Sequence, residues 1–456
     1  MISLAKKKNN KILHSVRYLA MEILEAIETE GAYSNILLNA TIEKEKLDTK
    51  DAGLLTTLVY GVTQRKLTID YGLEPYIRSP KKLENWVKNL IRLSVYQMVY
   101  LDKVPDHAVL FEAVEIAKIK GHVGISKLVN GILRNVQRNG LKDWQQIENP
   151  TQRISIGASV PEWLVKKFVA ERGLEKTEAL FFSLLTAPYI SIRVQNASEL
   201  NKVIEDLESS GIQVEKSPLS PVGLRVLSGK IVDSPLFKDG TITIQDESSQ
   251  LVALLGSLKP VDYVLDACAA PGGKTAHIAS FIDSGLVHAL DIYDHKIRLV
   301  RENAKRLQVS EKIKTHILDA KNAEETFEKD TFDKIFVDAP CSGLGLMRRK
   351  PEIKYGLTPN TFNQLQKEQL EILNAVVPLL KKGGRLVYST CTLAKEENQE
   401  VVKRFLSGHS NMQSLAIDGE DYNLPSQVIT AEGMVEISPE QFGTDGFFIC
   451  IMEKKK

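Results

Sequence analysis

Residues 261–275, V-D-Y-V-L-D-A-C-A-A-P-G-G-K-T, restrict the fold of this 456-residue chain more than any other stretch. Tyr263, Val264 and Leu265 make a short β-branched and aromatic run ending in Asp266, the pattern of a buried strand. Pro271, Gly272 and Gly273 then break regular structure, and from Lys274 the spacing of Ala276, Ile278 and Ala279 reads as a helix. A strand that turns through glycines into a helix leaves backbone N–H groups unpaired at the helix start. They converge on one spot that suits an anionic group or a nucleotide-like cofactor. Two better-known loops are excluded. A phosphate-binding P-loop needs a glycine five positions before Gly273, where Cys268 stands, and the G-x-G-x-x-G dinucleotide fingerprint is absent. What remains is a layout for holding an adenosyl group beside a carboxylate.

Residues 241–456 continue this alternation, with strands expected at 261–266, 285–291, 312–318, 332–338 and 384–389, helical stretches between them, and a last edge strand at 446–452. That is the signature of a Rossmann-like, doubly wound parallel α/β sheet with ligands beyond the carboxyl ends of its strands. Asp266, Asp291, Asp319 and Asp338 fall at or just past those ends. One such acid could be a helix cap. Four in succession form a row on the binding edge, and the acid after the second strand, Asp291, stands where a ribose diol would be held.

Asp338 opens D-A-P-C-S-G-L-G, which puts Cys341 at the mouth of the site, and the strand over 384–389 runs into S-T-C-T and presents Cys391 on the same edge. Taken singly, a cysteine is more often a small buried hydrophobe than a nucleophile. Two of only four cysteines at the binding ends of two strands shift that balance. A free thiol ionises near pKa ~8.5, and polar surroundings can lower that value. A thiolate can add to C6 of a pyrimidine and make C5 nucleophilic toward an electrophilic methyl group, which is covalent catalysis dividing one hard step into easier ones. Cys268 and Cys450 are expected only to pack, and the absence of any C-x-x-C pair argues against structural zinc, so no metal is expected.

Before residue 150 the apolar spacing is helical, as in Ile12, Val16, Leu19, Ala20, Ile23, Leu24 and Ile27, with further patterns near 51–71, 83–100, 106–119 and 125–138. Residues 1–10 read as a basic, poorly ordered tail without a hydrophobic signal core, so a cytoplasmic protein is expected. Residues 1–150 hold 22 Lys or Arg against 17 Asp or Glu, a surplus of 5 in a chain whose net charge is +1. Lys81, Lys82, Lys88, Arg92, Lys127, Arg134 and Arg138 fit a solvated helical face as well as an RNA-binding one. His107 reads as a helix-start or core histidine, and Ser159 as an N-cap before Pro161. Three regions follow: an all-helical domain at 1–145, connecting helices and a small α+β module at 146–240, and the α/β domain at 241–456. The module's strands at 189–195, 212–216 and 224–227 would suit an RNA platform, although its few aromatics leave a spacer domain equally open.

With D-A-C-A-A-P-G-G-K-T, V-D-A-P-C-S-G and S-T-C-T in this order, the C-terminal half resembles the RNA cytosine-C5 methyltransferases that use S-adenosylmethionine. The helical region, with H-A-V-L-F-E-A-V-E-I-A-K and L-V-N-G-I-L-R-N-V, resembles the NusB-like RNA-binding domain, and the pairing points to bacterial members that act on small-subunit (16S) rRNA. The resemblance implies that Cys391 is the nucleophile and that Cys341 helps remove the C5 proton and release product. It implies that Cys268, Ala269, Ala270, Pro271, Gly272, Gly273 and Lys274 cradle the cofactor, with Asp291 on its ribose and Asp319 by the adenine. Asp338 would lie near the methionine amine or the target base, and Lys274 would organise this acidic edge. Arg348, Arg349 and Lys350 would meet RNA phosphate, as would Arg134 and Arg138. The target cytosine has to be unstacked, which favours naked or early-assembly rRNA as partner, with no membrane and no obligate protein partner. The rival readings are a thiol-independent methyltransferase, an enzyme acting on tRNA or 23S rRNA, and a catalytically silent RNA-binding assembly factor.

Overall fold

A computed structural model describes residues 11–456; the tail expected at residues 1–10 lies outside them. Two compact units form, one running to Thr186 and including Met347–Gly356, the other made of Ala187–Leu346 and Leu357–Lys456. No helix among the described residues is long and apolar enough to cross a membrane.

The first unit is helical, and no strand forms in the described residues before Ile190. Ser15 and Asp48 cap helices Val16–Glu30 and Thr49–Gln64 by accepting from the N–H groups of Tyr18 and Asp51. Ala20, Leu24, Leu58, Val59, Leu90, Ile91, Val129 and Leu133 lie at helical spacing on facing sides of these helices, Asn85–Tyr100 and Val123–Asn139, and form one core. The single pattern at 51–71 is two helices, Thr49–Gln64 and Lys66–Leu73, broken at Arg65. Ser34–Glu45 is a further helix that sequence reading missed, because its apolar residues make almost no stripe. Ser159 does not cap Glu162–Arg172; it has φ +55°, and its Oγ accepts from Leu67 N at 2.8 Å. His107 is exposed in the first turn of Asp106–Lys120.

In the second unit β1 (Ile190–Val194), β2 (Gln213–Lys216), β3 (Gly223–Ser228) and β4 (Ile242–Ile244) make an antiparallel sheet ordered β2-β3-β1-β4. Helix Leu200–Ser209 covers it through Val203 and Leu207, packed with Ile192, Leu224 and Ile242. β4 pairs with β1, so the module runs past residue 240. Fully buried Glu247 ties the module to the α/β domain, accepting from Arg225 Nε at 2.7 Å and Ser191 Oγ at 3.0 Å.

β5 (Tyr263–Asp266), β6 (Leu286–Asp291), β7 (Ile313–Ile317), β8 (Phe332–Asp338), β9 (Leu380–Thr390), β10 (Met412–Leu415) and β12 (Phe447–Lys454) are ordered β10-β12-β9-β8-β5-β6-β7, with β11 (Val435–Ile437) on β12. The five strands β5 to β9 are parallel, and the strand order reverses at β5. Alternate residues feed two cores: Leu265, Ile335, Val337 and Leu386 on one face, Val264, Val287, Phe336 and Val387 on the other. The sheet is mixed rather than wholly parallel. β12, expected at the edge, lies inside it, antiparallel to β9, β10 and β11. Its run F-F-I-C-I-M is buried throughout, as an interior strand requires.

Candidate active site

The cofactor-type loop leaves β5 between its two neighbours. Ala267 N donates to Phe336 O on β8 and Ala269 N to Leu290 O on β6, both at 2.9 Å, so the chain stays in the sheet until Ala269. Gly272 then takes φ +101°, where a Cβ would lie 2.8 Å from Val300 Cα; here glycine is needed for conformation and close approach alike. Helix Gly273–Ser280 begins there, and a Cβ on Gly273 would meet nothing within 4 Å, so the helix start opens onto free space at the strand ends. Asn303 Nδ2 holds Pro271 O at 2.8 Å.

Asp266 is buried and accepts from Thr275 Oγ1 at 2.7 Å; burial pushes its carboxyl up to about 6. It fixes the turn from beneath. Lys274 Nζ lies 2.7 Å from Asp338 Oδ2, and Ser389 Oγ donates to Asp338 Oδ1 at 2.8 Å. Burial opposes the charge on Lys274, but Asp338 outweighs it and holds the pKa above the ordinary lysine value. Asp291, at the end of β6, accepts from Tyr293 N at 3.1 Å. Asp319 accepts from Lys321 N at 2.9 Å and caps the short helix after β7, which satisfies one of its carboxylate oxygens. All four acids lie on the carboxyl edge of the sheet.

The two cysteines meet there. Cys341 follows β8, Cys391 follows β9, and their Sγ atoms are 3.4 Å apart. The hydrogen bond to Cys391 and then burial push the Cys341 thiol well above its ordinary range. Beneath the pair sits a residue that sequence reading passed over. Fully buried Glu397 accepts from Ser342 N at 2.8 Å, from Ser342 Oγ and from Gln369 Nε2 at 3.1 Å, while Thr392 Oγ1 lies 2.7 Å from Ser342 Oγ. One carboxylate thus clamps the residue after each cysteine. Burial raises its pKa against the pull of these donors. The signal was K-E-E-N, starting four residues past Cys391, a short helix in which Glu397 is the buried residue.

Cys268 packs against the core beside Leu265, its thiol pushed well up by burial, and Cys450 is buried in β12. No group of three or more candidate metal ligands forms among the described residues. Arg348 is turned inward in the first unit, with Nη2 3.4 Å from Ser183 Oγ, so the expectation of a phosphate contact fails for it. Arg349 and Lys350 are partly exposed, and Arg134 and Arg138 are exposed with no carboxylate partner among the described residues. Arg92 is likewise internal, held by Asp70 and Glu28.

A glycine loop and helix start at the reversal of a doubly wound sheet, with a row of acids and a lysine beside it, define a nucleotide-type cofactor site; similarity to known proteins identifies its class as that of S-adenosylmethionine-dependent methyltransferases. The chain matches the 16S rRNA methyltransferase RsmB/F family over residues 253–453, the NusB family over 14–138 and the RsmF/B ferredoxin-like domain over 160–233. It is 45% identical to the "Probable ribosomal RNA small subunit methyltransferase B" of Bacillus subtilis (strain 168), over 97% of this chain and 99% of that one. Identity to ribosomal RNA small subunit methyltransferase B of Photorhabdus laumondii is 33%, covering 98% and 100%. Among solved structures it is similar to PH0851 (TM-score 0.80, 26% identity, 96% and 99% covered). The chain belongs to the RsmB/F family of 16S rRNA methyltransferases and is an RNA methyltransferase that uses S-adenosylmethionine.

Proposed function

We infer that the protein methylates C5 of a cytosine in small-subunit rRNA through a covalent adduct between Cys391 and C6. The observation that carries this reading is the 3.4 Å pairing of Cys341 with Cys391 beside the Lys274–Asp338 ion pair. A methyltransferase acting on nitrogen has no need of two thiols at that place.

Cys391, as the thiolate left when its proton is lost to solvent, bonds through Sγ to C6; the C5–C6 π electrons move to C5, and C5 takes the electrophilic methyl group that S-adenosylmethionine supplies, with the thioether as leaving group. Loss of the C5 proton and breaking of the C6–S bond then restore the aromatic ring. In the resting site Cys341 keeps its proton, chiefly because of its hydrogen bond to Cys391. Forming the C6–S bond removes that partner, so Cys341 becomes easier to ionise at the stage where the C5 proton has to leave. Asp338 is held by Lys274 and Ser389, and its proposed role is to meet the methyl donor's amine or the target base. In this reading Asp291 holds the ribose, Asp319 lies by the adenine, and residues 268–274 cradle the rest of the cofactor. Arg134, Arg138, Arg349 and Lys350 are proposed to contact phosphate.

Incubating the full chain with unmodified small-subunit rRNA and methyl-labelled S-adenosylmethionine is expected to place the label in 5-methylcytidine. Label in another nucleoside would sink the cysteine mechanism. Cys341→Ala is expected to leave adduct formation intact and slow its release, so that RNA-bound protein accumulates on denaturing gels. Equal adduct in variant and parent would remove Cys341 from product release.

A further inference from the structure

Behind the small antiparallel sheet lies a buried charge without a counterion. Arg193 in β1 is 0% exposed; its Nε donates to Gln245 Oε1 at 2.7 Å and its Nη1 to Gln195 Oε1 at 2.8 Å, while Nη2 has no acceptor. Among the described residues no carboxylate pairs with it, and burial together with like-charged Arg306 pushes its pKa down to about 9. Arg306 also has no carboxylate partner among the described residues, its hydrogens going to Phe237 O, Ile242 O and Thr243 Oγ1. An uncompensated buried cation costs several kcal/mol, and an apolar side chain of similar volume usually costs less. Keeping an arginine there opposes the stability of the fold, so a gain elsewhere is called for.

Gln195 and His277, the side chains next to Arg193, line a cleft of about 590 Å³ between the module and helix Gly273–Ser280. His277 is 2% exposed, its Nδ1 has no partner, and burial and Arg193 hold it neutral. Lys312 stands on the lining with no acceptor among the described residues, and Phe281, 38% exposed, offers a ring. The one carboxylate on the lining, Glu199, is exposed. A positive field, a free ammonium and an exposed ring match the phosphate and the base of a nucleotide.

We propose that this cleft is an RNA subsite separate from the reacting centre, holding one single-stranded nucleotide with its phosphate toward Lys312 and its base against Phe281. His277 and Ser280 lie in the C-terminal half of the helix whose first turn carries Lys274, so the nucleotide sits about 10 Å along that helix from the methyl-transfer edge. The small module then contributes affinity for RNA rather than acting as a spacer.

The proposal depends on RNA being bound and not on cytosine chemistry, so the test is direct filter binding of a labelled small-subunit rRNA fragment to the full chain across salt concentrations. Lys312→Glu is expected to weaken binding at least about five-fold and to reduce the salt slope by about 1, with S-adenosylmethionine affinity unchanged. Arg193→Met is expected to weaken RNA binding while the melting temperature holds or rises. Unchanged RNA affinity and slope in Lys312→Glu would overturn the proposal. So would an Arg193→Met chain that loses stability and binds RNA normally, because Arg193 would then be structural. Should 5′-CMP bind in the cleft while RNA affinity ignores Lys312→Glu, the site would belong to a free nucleotide and the proposal would fall.

Discussion

Cys391→Ala is expected to lower methyl transfer by at least about 10⁴-fold, close to 5.5 kcal/mol of barrier, while S-adenosylmethionine binds within two-fold of the parent. The size follows from the chemistry proposed for the site. Without that thiol C5 of cytosine has no route to nucleophilic character, because the other thiol at the strand ends, Cys341, is assigned to removal of the C5 proton and not to addition at C6. Cofactor binding is expected to survive because the 268–274 loop is built from backbone contacts with β6 and β8 and from Thr275 on Asp266, none of which involves Cys391. Isothermal titration with the cofactor and single-turnover methylation check the two halves separately. Retained turnover would exclude Cys391 as nucleophile; lost cofactor affinity would make it a structural residue of the loop.

Gly345→Ala is expected to lower turnover about 10²-fold and to destabilise the fold, although residue 345 carries no functional group. A Cβ there would lie 1.9 Å from Gly446 O and 2.8 Å from Cys391 O, both backbone atoms that cannot rotate away. The same backbone makes two crosslinks: Gly345 N donates to Cys391 O at 2.9 Å, and Gly446 N donates to Gly345 O at 3.0 Å. Relieving the overlap takes a shift of about 1 Å, which breaks these bonds and moves the Cys341 loop relative to Cys391; misplacement on that scale costs about 10²-fold in rate. Lost bonds and overpacking together amount to about 2–4 kcal/mol, a fall of about 4–10 °C in melting temperature. Gly356→Ala is the matched control, since a Cβ there meets nothing within 4 Å, and it should behave as the parent. Calorimetry and turnover on both variants test the account; a fully active Gly345→Ala would show that the two cysteine loops tolerate displacement.

Glu397 explains why that spacing is held so firmly. A buried carboxylate fully occupied by Ser342, Gln369 and the neighbouring Thr392 hydroxyl joins the loop after β8 to the loop after β9, and each loop carries one cysteine. The cost of burying that carboxylate, visible in its raised pKa, is set against a fixed distance between the two thiols.

The sequence alone determined what depends on neighbours within a few residues: the glycine turn after β5, the apolar runs of the parallel strands, the acids at their ends and the position of each cysteine just past a strand. Those features follow from local backbone geometry and from a two-residue period, so they are visible before any folding. Only the tertiary structure decided which side chains lose contact with water. It placed β12 inside the sheet, put Glu397 under both cysteines, turned Arg92 and Arg348 inward and left Arg193 buried with no carboxylate partner among the described residues. Glu397 takes its donors from Ser342, 55 positions away, and from Gln369, 28 positions away. An isolated Arg or Glu in a polar stretch looks the same whether it will face solvent or core. Burial is a property of packing between distant segments, and charge acquires its energetic meaning only when that packing is complete.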